Sequence, residues 1–526
     1  MSSWPLSSAR VGALCVAAVL ALAGCRGSDA GNSSTEPGQS PSAEASTVPG
    51  ARAGASEHKA GAGAKPTAAP SGHHRGAPSP SGDFTKAAVK SEEPKLSNPF
   101  DSLYDRDFSL AALSADPAGA MEKPAVAEGL KKSATLDPAN KTFVYRATDA
   151  GKAGGDFVRH DNSHKQAFNA DNTRFIARDG QGAWYLYDAA TFKQIKKLGE
   201  LKGNCEPIWH ASDPNLLHFT LRDGGTTWWT YDVEAEKGEV MFDFSGKTPW
   251  SQATSFSTKG RGTASADGRY LALTATRHDE ATQTRNVYGV VVLDVKDKRI
   301  VGALDARNFP KPGAFPDYVS ASPSGRHVVV SWPGDAGGTR AYTRDLKDSF
   351  ELPTTSKHAG MAYGPQKQDY YVFADYGKNQ LSAVDLDSHE RIGLRSLYPA
   401  KGENYTLDIS GQAYDKPGWA VVSTYGEKKD DVSDESAPQE RADYRKVWLV
   451  ELKAGGRALS VANVRTNASA IGGSSKDAAP QAAGDPDFFK PQASASRDLS
   501  RIVFADNFGQ GPIESYMVGL PSWAVR

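Results

Sequence analysis

The feature that most constrains this chain is a two-strand unit that recurs from about residue 140 onward. Each copy has a Ser/Asn-Ala-Asp-Gly-like turn, a β-branched or aromatic strand, a gap, and a second strand ending near an Asp. The first recognisable strands of seven copies begin near residues 174, 216, 270, 327, 370, 419 and 501. Repeats of about 40–50 residues with two or more strands are typical of propeller blades. The spacing predicts an all-β fold, a seven-bladed β-propeller, with six or eight blades as alternatives.

The N-terminus has the pattern of an export signal. Arg10 precedes an apolar run of 13 residues, 11–23, which is shorter than a membrane span. The run leads into Leu-Ala-Gly-Cys at 22–25, which resembles a bacterial lipobox and makes Cys25 the predicted lipidation site. A plain secretory signal or an uncleaved anchor is the alternative. The lipobox predicts an exported protein that is lipid-anchored to the bacterial cell envelope, at the outer membrane in a Gram-negative cell.

Composition divides the rest of the chain. Residues 25–98 are dominated by Gly, Ser, Ala and Pro, a composition that cannot bury enough apolar surface to order itself. We therefore expect a signal peptide over 1–24, a disordered tether over 25–98, and the propeller over 99–526 with a lead-in over 99–139. The strand 142–146 is expected to help close the ring against the last blade.

Charge and cysteine content exclude several classes of protein. Lys plus Arg is 61 and Asp plus Glu is 62, so no global basic field favours nucleic acid. A mean hydropathy of −0.51 excludes a polytopic membrane protein. Of three cysteines only Cys205 falls in the folded region, which excludes an internal disulfide there and a four-cysteine zinc site. Cys205 is expected to be a buried core residue, with a catalytic thiol as the alternative.

Two segments carry a family resemblance, 159–171 and 206–217. Both are similar to segments of seven-bladed propeller polysaccharide lyases of the ulvan lyase type (families 24 and 25), and more distantly to oligogalacturonate lyase. Later segments around 318–325, 417–425 and 496–504 extend the resemblance over about residues 140–520. The first two segments are the more specific, because the later ones are partly generic propeller sequence.

The resemblance implies a lyase that cleaves acidic, uronate-containing polysaccharide by β-elimination. Such chemistry needs a cation for the uronate carboxylate, a His or Tyr base for the C5 proton, and an acid for the departing O4. The catalytic candidates are His160, His210 and Tyr318. The substrate-binding candidates are Arg159, His164, Arg222, Arg261 and His358. No redox cofactor is required. A structural metal ion stays open, although no spacing amounts to a metal motif.

Each candidate residue could instead have a purely structural role. A loop histidine such as His160, His164 or His210 can be a hydrogen-bonded scaffold residue, and each arginine can belong to a surface ion pair. The chain also departs from the family pattern, with His164 where a basic residue such as Arg is expected and no His at 464–466. These departures leave metal binding and activity open. The second hypothesis is therefore a monomeric, non-catalytic propeller that binds a glycan or a protein partner at the cell envelope.

Overall fold

The structure is a computed structural model, in which the chain divides into two units, Met1–Val89 and Lys90–Arg526. It describes residues 98–114, 121–153, 157–202, 205–221, 225–279, 281–282, 284–353, 358–397, 406–425, 442–467 and 488–525, all in the second unit. The predicted signal peptide, Cys25, the tether up to residue 97 and Arg222 lie outside the described residues. None of the helices in the described part is long and apolar enough to cross a membrane.

Two N-terminal strands precede the repeated sheets: β1 (Thr135–Leu136) and β2 (Phe143–Arg146). The first three sheets are blade 1, β3 (Phe157–Arg159), β4 (Arg174–Asp179), β5 (Trp184–Asp188) and β6 (Gln194–Lys197); blade 2, β7 (Ile208–Trp209), β8 (Leu216–Phe219), β9 (Thr227–Asp232) and β10 (Lys237–Asp243); and blade 3, β11 (Ser255–Ser257), β12 (Tyr270–Asp279), β13 (Thr284–Asp294) and β14 (Arg299–Asp305).

The remaining sheets are blade 4, β15 (Tyr318–Ala321), β16 (His327–Ser331), β17 (Thr339–Thr343) and β18 (Ser349–Glu351); blade 5, β19 (Gly360–Tyr363), β20 (Asp369–Asp375), β21 (Gln380–Asp385) and β22 (Arg391–Ser396); blade 6, β23 (Thr406–Ser410), β24 (Trp419–Tyr425), β25 (Lys446–Glu451) and β26 (Ala458–Asn463); and blade 7, β27 (Ser494–Ala495), β28 (Arg501–Asp506) and β29 (Ile513–Gly519), completed by β2. Short helical turns lie at Pro99–Leu103, Ala150–Ala153, Ala306–Asn308 and Gly334–Ala336.

The turn between the first two strands of a blade is built the same way in several blades. In blade 3 the Ser265 hydroxyl accepts from the Tyr270 N–H at 3.0 Å, and Gly268 takes a φ of +72° that a Cβ would disfavour. The Ser322 and Ser496 hydroxyls accept from the residue five positions on in blades 4 and 7. These bonds are why the Ser-x-x-Gly-like turns recur in the sequence.

Among the described residues, eight apolar clusters hold the blades together: seven lie one at each boundary between consecutive sheets, and a smaller eighth adds to the boundary between blades 7 and 1. One cluster joins blade 7 to blade 1 through residues such as Tyr145, Met517 and Tyr187. β2 also pairs antiparallel with β29, and β29 pairs with β3 over two residues. The ring is therefore closed, which confirms the predicted seven-bladed all-β propeller and the closing role of the strand at 142–146.

Candidate active site

Two loops leave the innermost strands and fill the central channel. Channel loop 1 (160–167) interrupts the first strand of blade 1, whose pairing resumes at Phe168. Channel loop 2 (258–264) interrupts blade 3 in the same way after β11. The two loops meet where the Asn162 side-chain amide donates to the Gly260 carbonyl at 3.0 Å. Channel loop 1 also reaches blades 5, 6 and 7, where it bonds with Ala359, Gln412 and Ser494. A loop with partners on so many blades must cross the channel.

Two of the predicted site residues, His160 and Arg159, are buried and hold the protein backbone in place around channel loop 1. His160 is fully buried, and its Nε2 bonds to the Gln492 carbonyl at 2.8 Å. Burial, and then the charge of Arg159, lower the pKa of His160 to about 3, so the ring is neutral. Arg159 is also buried and donates from Nη1 to the Phe488 and Lys490 carbonyls, at 2.7 Å each. Their burial contradicts the prediction that His160 is catalytic and that Arg159 binds substrate, since His160 Nε2 and the Arg159 guanidinium bond to carbonyls inside the protein.

His210 lies in the turn between β7 and β8 and does not line the cavity that His164, Arg261 and Tyr318 share. Its Nδ1 accepts from the Ser212 and Asp213 N–H groups at 3.3 and 2.9 Å, and its ring lies 5.4 Å from that of His218. In an antiparallel sheet this turn is at the opposite end from the connections between blades, one of which carries His358. The two predicted catalytic histidines, His160 and His210, therefore do not form one site.

Four other predicted residues do come together. Arg261 from channel loop 2, His164 from channel loop 1 and Tyr318 from β15 line one narrow cavity of about 10 Å³, room for about one water molecule. The rings of His164 and Tyr318 are 5.9 Å apart. His358 lies next to this cavity, because the adjacent Ala359 lines it. We call His164, Arg261, Tyr318, His358 and their neighbour Asp408 the channel cluster.

His358 and Asp408 form a close pair in the channel cluster, and the carboxylate of this pair is fully buried. His358 Nδ1 lies 2.7 Å from Asp408 Oδ1, and the Asp408 side chain is fully buried while that of His358 is 17% exposed. Burial alone would raise the pKa of Asp408, but His358, Arg261 and Lys490 outweigh it and lower the pKa to about 2. An ionised carboxylate can only accept, so Nδ1 carries the proton and Nε2 is the basic nitrogen of His358.

Buried charged side chains fix channel loop 2 on both sides of Arg261. The Glu206 carboxylate accepts from the Thr258 N–H at 2.7 Å and from its hydroxyl at 2.8 Å. The buried Lys165 ammonium donates to the Gly262 carbonyl at the other end of the loop. Between them Gly260 has a φ of +84°. Glu206 opens the second resemblance segment, and its role here is to fix the turn that presents Arg261.

Tyr318 and His164 form the inner wall of the channel cluster. Burial raises the pKa of Tyr318 to about 12, and its hydroxyl hydrogen-bonds with Tyr371. Burial and then Arg261 lower the pKa of His164 to about 4, and its Nε2 bonds to the Ala359 carbonyl at 2.6 Å. Both side chains are therefore neutral. With exposures of 2% for Tyr318 and 7% for His164, they support the partly exposed Arg261 and His358.

Sequence reasoning missed Asp408, Lys490 and Glu206. Asp408 had a detectable signal, because it is the one charged residue in the alternating Thr-Leu-Asp-Ile-Ser strand β23. A carboxylate on a strand that is buried along its length needs a charged partner. Lys490 carried no comparable signal, since its relation to Asp408 depends on the ring bringing blade 7 next to blade 6.

No group of three or more His, Cys, Asp or Glu side chains is placed to hold a metal ion in the described part of the chain. His164 and His358, the two histidines of the channel cluster, are engaged with a carbonyl and a carboxylate.

Comparisons with known proteins support the fold. No family model and no curated protein matches the chain. A crystal structure of oligogalacturonate lyase from Vibrio parahaemolyticus is similar, with a TM-score of 0.50 and 11% identity over 74% of this chain and 97% of that one. An oligogalacturonate lyase in complex with manganese has a TM-score of 0.49 and 15% identity over 76% of this chain and 100% of the other. The resemblance to oligogalacturonate lyase is confirmed for the β-propeller fold, while the resemblance to ulvan lyases stays a prediction.

Proposed function

We propose that this protein is a lyase that cleaves uronate-containing polysaccharide by β-elimination at the channel cluster. The observation that carries the proposal is the placement of a partly exposed guanidinium, Arg261, close to a histidine whose tautomer a buried carboxylate fixes. These are the two groups that abstraction of a proton next to a carboxylate requires. The fold shared with oligogalacturonate lyase agrees with this reaction class.

In the proposed reaction Arg261 pairs with the uronate carboxylate and stabilises the enolate-like charge that develops when the C5–H bond breaks. Nε2 of His358 takes the C5 proton, and Asp408 orients the ring and stabilises the imidazolium that forms. The C4–O4 bond then breaks, a C4–C5 double bond forms, and the departing O4 takes a proton from the imidazolium. This assignment moves the base role from His160 and His210 to His358.

The substrate and location belong to the same proposal. The substrate is an acidic polysaccharide, ulvan-like or galacturonate-rich, because Arg261 and Lys490 both lie near Asp408 and supply positive charge. We further propose that the chain is an exported monomer, anchored by lipid at Cys25 on the bacterial cell envelope and acting on extracellular glycan. The lipobox-like tetrapeptide at 22–25 supports this location.

The test is incubation of the purified chain with ulvan, polygalacturonate and other uronate polysaccharides, followed by mass spectrometry of the products. β-Elimination gives one fragment with an unsaturated uronate, whereas hydrolysis adds water across the cleaved bond. We expect unsaturated fragments from at least one substrate. Hydrolytic fragments alone would replace the proposed reaction with another.

A non-catalytic propeller is the second candidate, and one observation favours it. His160 Nε2, His164 Nε2 and the Arg159 guanidinium bond to backbone carbonyls, so much of the polar chemistry in the channel supports the fold. Under this hypothesis the partly exposed Arg261 and His358 bind a glycan or a protein partner without turnover. Saturable binding of a uronate polysaccharide with no product after prolonged incubation would favour it.

A further inference from the structure

A second cavity lies between blades 2 and 3, and its lining shares no residue with the cavity of the channel cluster. Its volume is about 550 Å³, within the range of about 300–1,000 Å³ typical of small-ligand sites. His210 and Arg269 come from turns between first and second strands, and Lys296 and Lys298 come from the β13–β14 turn. These turns share one end of the sheets, opposite to the inter-blade connection that carries His358. We call this cavity the His210 groove.

The groove exists because blade 2 places polar side chains where it faces blade 3. His218 and Thr230 line it, with His218 Nδ1 3.0 Å from the Thr230 hydroxyl. At the other end of the same interface Trp228, Phe242 and Phe256 fill the space. Burial, and then His210, lower the pKa of His218 to about 4, so the ring stays neutral. Polar side chains therefore line the groove, and apolar side chains pack the other end of the same interface.

Of the charged groups that face the groove, Arg269 and Asp267 already have hydrogen-bond or ion-pair partners within blade 3. Arg269 is held by Asp294 and Asp297, and Asp267 accepts from Ser265 and from the Arg269 N–H. Lys296, Lys298 and Glu239 are exposed and make no ion pair with any residue the structure describes. His210 Nδ1 already accepts two N–H groups, so the neutral ring carries its proton on Nε2 and can donate.

We infer that the His210 groove binds one acidic sugar residue of the glycan, at a site separate from the channel cluster. The two ammonium groups and the His210 Nε2–H are donors for a carboxylate, and Glu239 is an acceptor for sugar hydroxyls. A ligand with both an anionic group and several hydroxyls satisfies both sets, whereas a simple inorganic anion has no hydroxyl to donate to Glu239. This inference rests on the proposed function for the identity of the glycan, and it gives His210 a binding role.

The test uses the full chain labelled with ¹³C at histidine Cε1 and titrated with galacturonate, and with galactose as the uncharged control. The signals of His210, His218 and His358 are assigned from single His→Gln variants. We expect saturable shifts of His210 and His218 with galacturonate but not with galactose.

The double variant Lys296→Gln/Lys298→Gln should weaken this binding at least about tenfold, the order of a charge-assisted hydrogen bond. The control Lys311→Gln/Lys347→Gln has the same charge change on blade 4 and should leave the affinity unchanged.

Three results would overturn the inference: no saturable shift at His210 up to about 20 mM galacturonate, weaker than any useful subsite; equal shifts with galactose; or unchanged affinity in the Lys296/Lys298 variant. The His358 signal separates this inference from the proposed function. A shift at His358 alone rejects the groove and leaves the channel cluster standing. Shifts at His210 and His218 alone support the groove and count against the channel cluster.

Discussion

At the scale of single residues, burial decides which histidines can do chemistry. His160 and His164 are closed off in channel loop 1 and bond to carbonyls, while His358 keeps a partly exposed ring beside an ionised Asp408. The sequence shows all three as histidines in polar loops, and nothing local separates them. The difference comes from the carbonyls of blades 5 and 7, which the closed ring brings to the loop.

The buried histidines predict a loss of stability in mild acid. The folded-state pKa values of about 3 for His160 and about 4 for His164 and His218 lie below the value of 6.5 for an exposed histidine. Between pH 6.5 and 4 the unfolded chain therefore binds protons that the folded chain does not, so the free energy of unfolding falls as pH falls. Each such histidine contributes about 1.4 kcal/mol per pH unit.

Urea unfolding at several pH values between 6.5 and 4.5 measures this effect. The variant His160→Gln keeps a side-chain donor for the Gln492 carbonyl but cannot be protonated in this range. Its free energy of unfolding should depend on pH less steeply, by about 1.4 kcal/mol per pH unit. The same slope in the variant and the wild type would show that His160 titrates normally.

At the scale of elements, the sequence reveals the second and third strands of most blades and misses the others. Strands such as β12 and β24 are buried along nearly their whole length and read as apolar runs. The innermost strands are short, and two of them are interrupted by the channel loops. The outermost strands, such as β6, are mostly exposed and lack an apolar pattern. Periodicity thus predicts the blade number but cannot show which loops fill the channel.

Channel loop 2 predicts a specific glycine requirement. A Cβ at Gly262 would lie 1.8 Å from the Val319 carbonyl oxygen and 2.8 Å from Thr258 Cβ, so the loop or β15 must move. Gly262→Ala should lower the free energy of unfolding by about 1–3 kcal/mol and reduce turnover, because the loop presents Arg261. Gly199→Ala is the matched control, since nothing lies within 4 Å of its Cβ. Thermal unfolding and initial rates measure both effects, and equal behaviour of the two variants would contradict this view of the loop.

At the scale of the whole molecule, closure depends on contacts between the two ends of the propeller. β2 completes blade 7 by pairing with β29. The lead-in adds further bonds, from the Asn98 amide to the Leu520 carbonyl at 2.7 Å and from the Tyr104 hydroxyl to the Gly519 carbonyl at 2.6 Å. An exposed edge on β29 would leave backbone groups unpaired and prone to association.

Truncation separates the role of the closing strand from that of the preceding chain. A chain over 98–526 keeps every closing contact that the structure describes and should unfold cooperatively at the temperature of the full chain. A chain over 147–526 lacks β2 and should aggregate or lose cooperative unfolding. Light scattering and calorimetry distinguish these states. A monomeric 147–526 chain with an unchanged unfolding temperature would show that β2 does not close the ring.

The central claim is that the channel cluster performs the elimination, and the ultraviolet absorbance of the unsaturated uronate product tests it most directly. On a uronate polysaccharide that the wild type cleaves, Arg261→Ala and His358→Gln should each lower kcat/KM by at least about 100-fold, the order expected for a lost electrostatic stabiliser or general base. Each change removes a charged neighbour of the buried Asp408 carboxylate, so the unfolding temperature should fall, but both variants should stay folded and unfold cooperatively above the assay temperature. Full activity in either variant, or no product from any uronate polysaccharide with a folded wild type, would contradict the account.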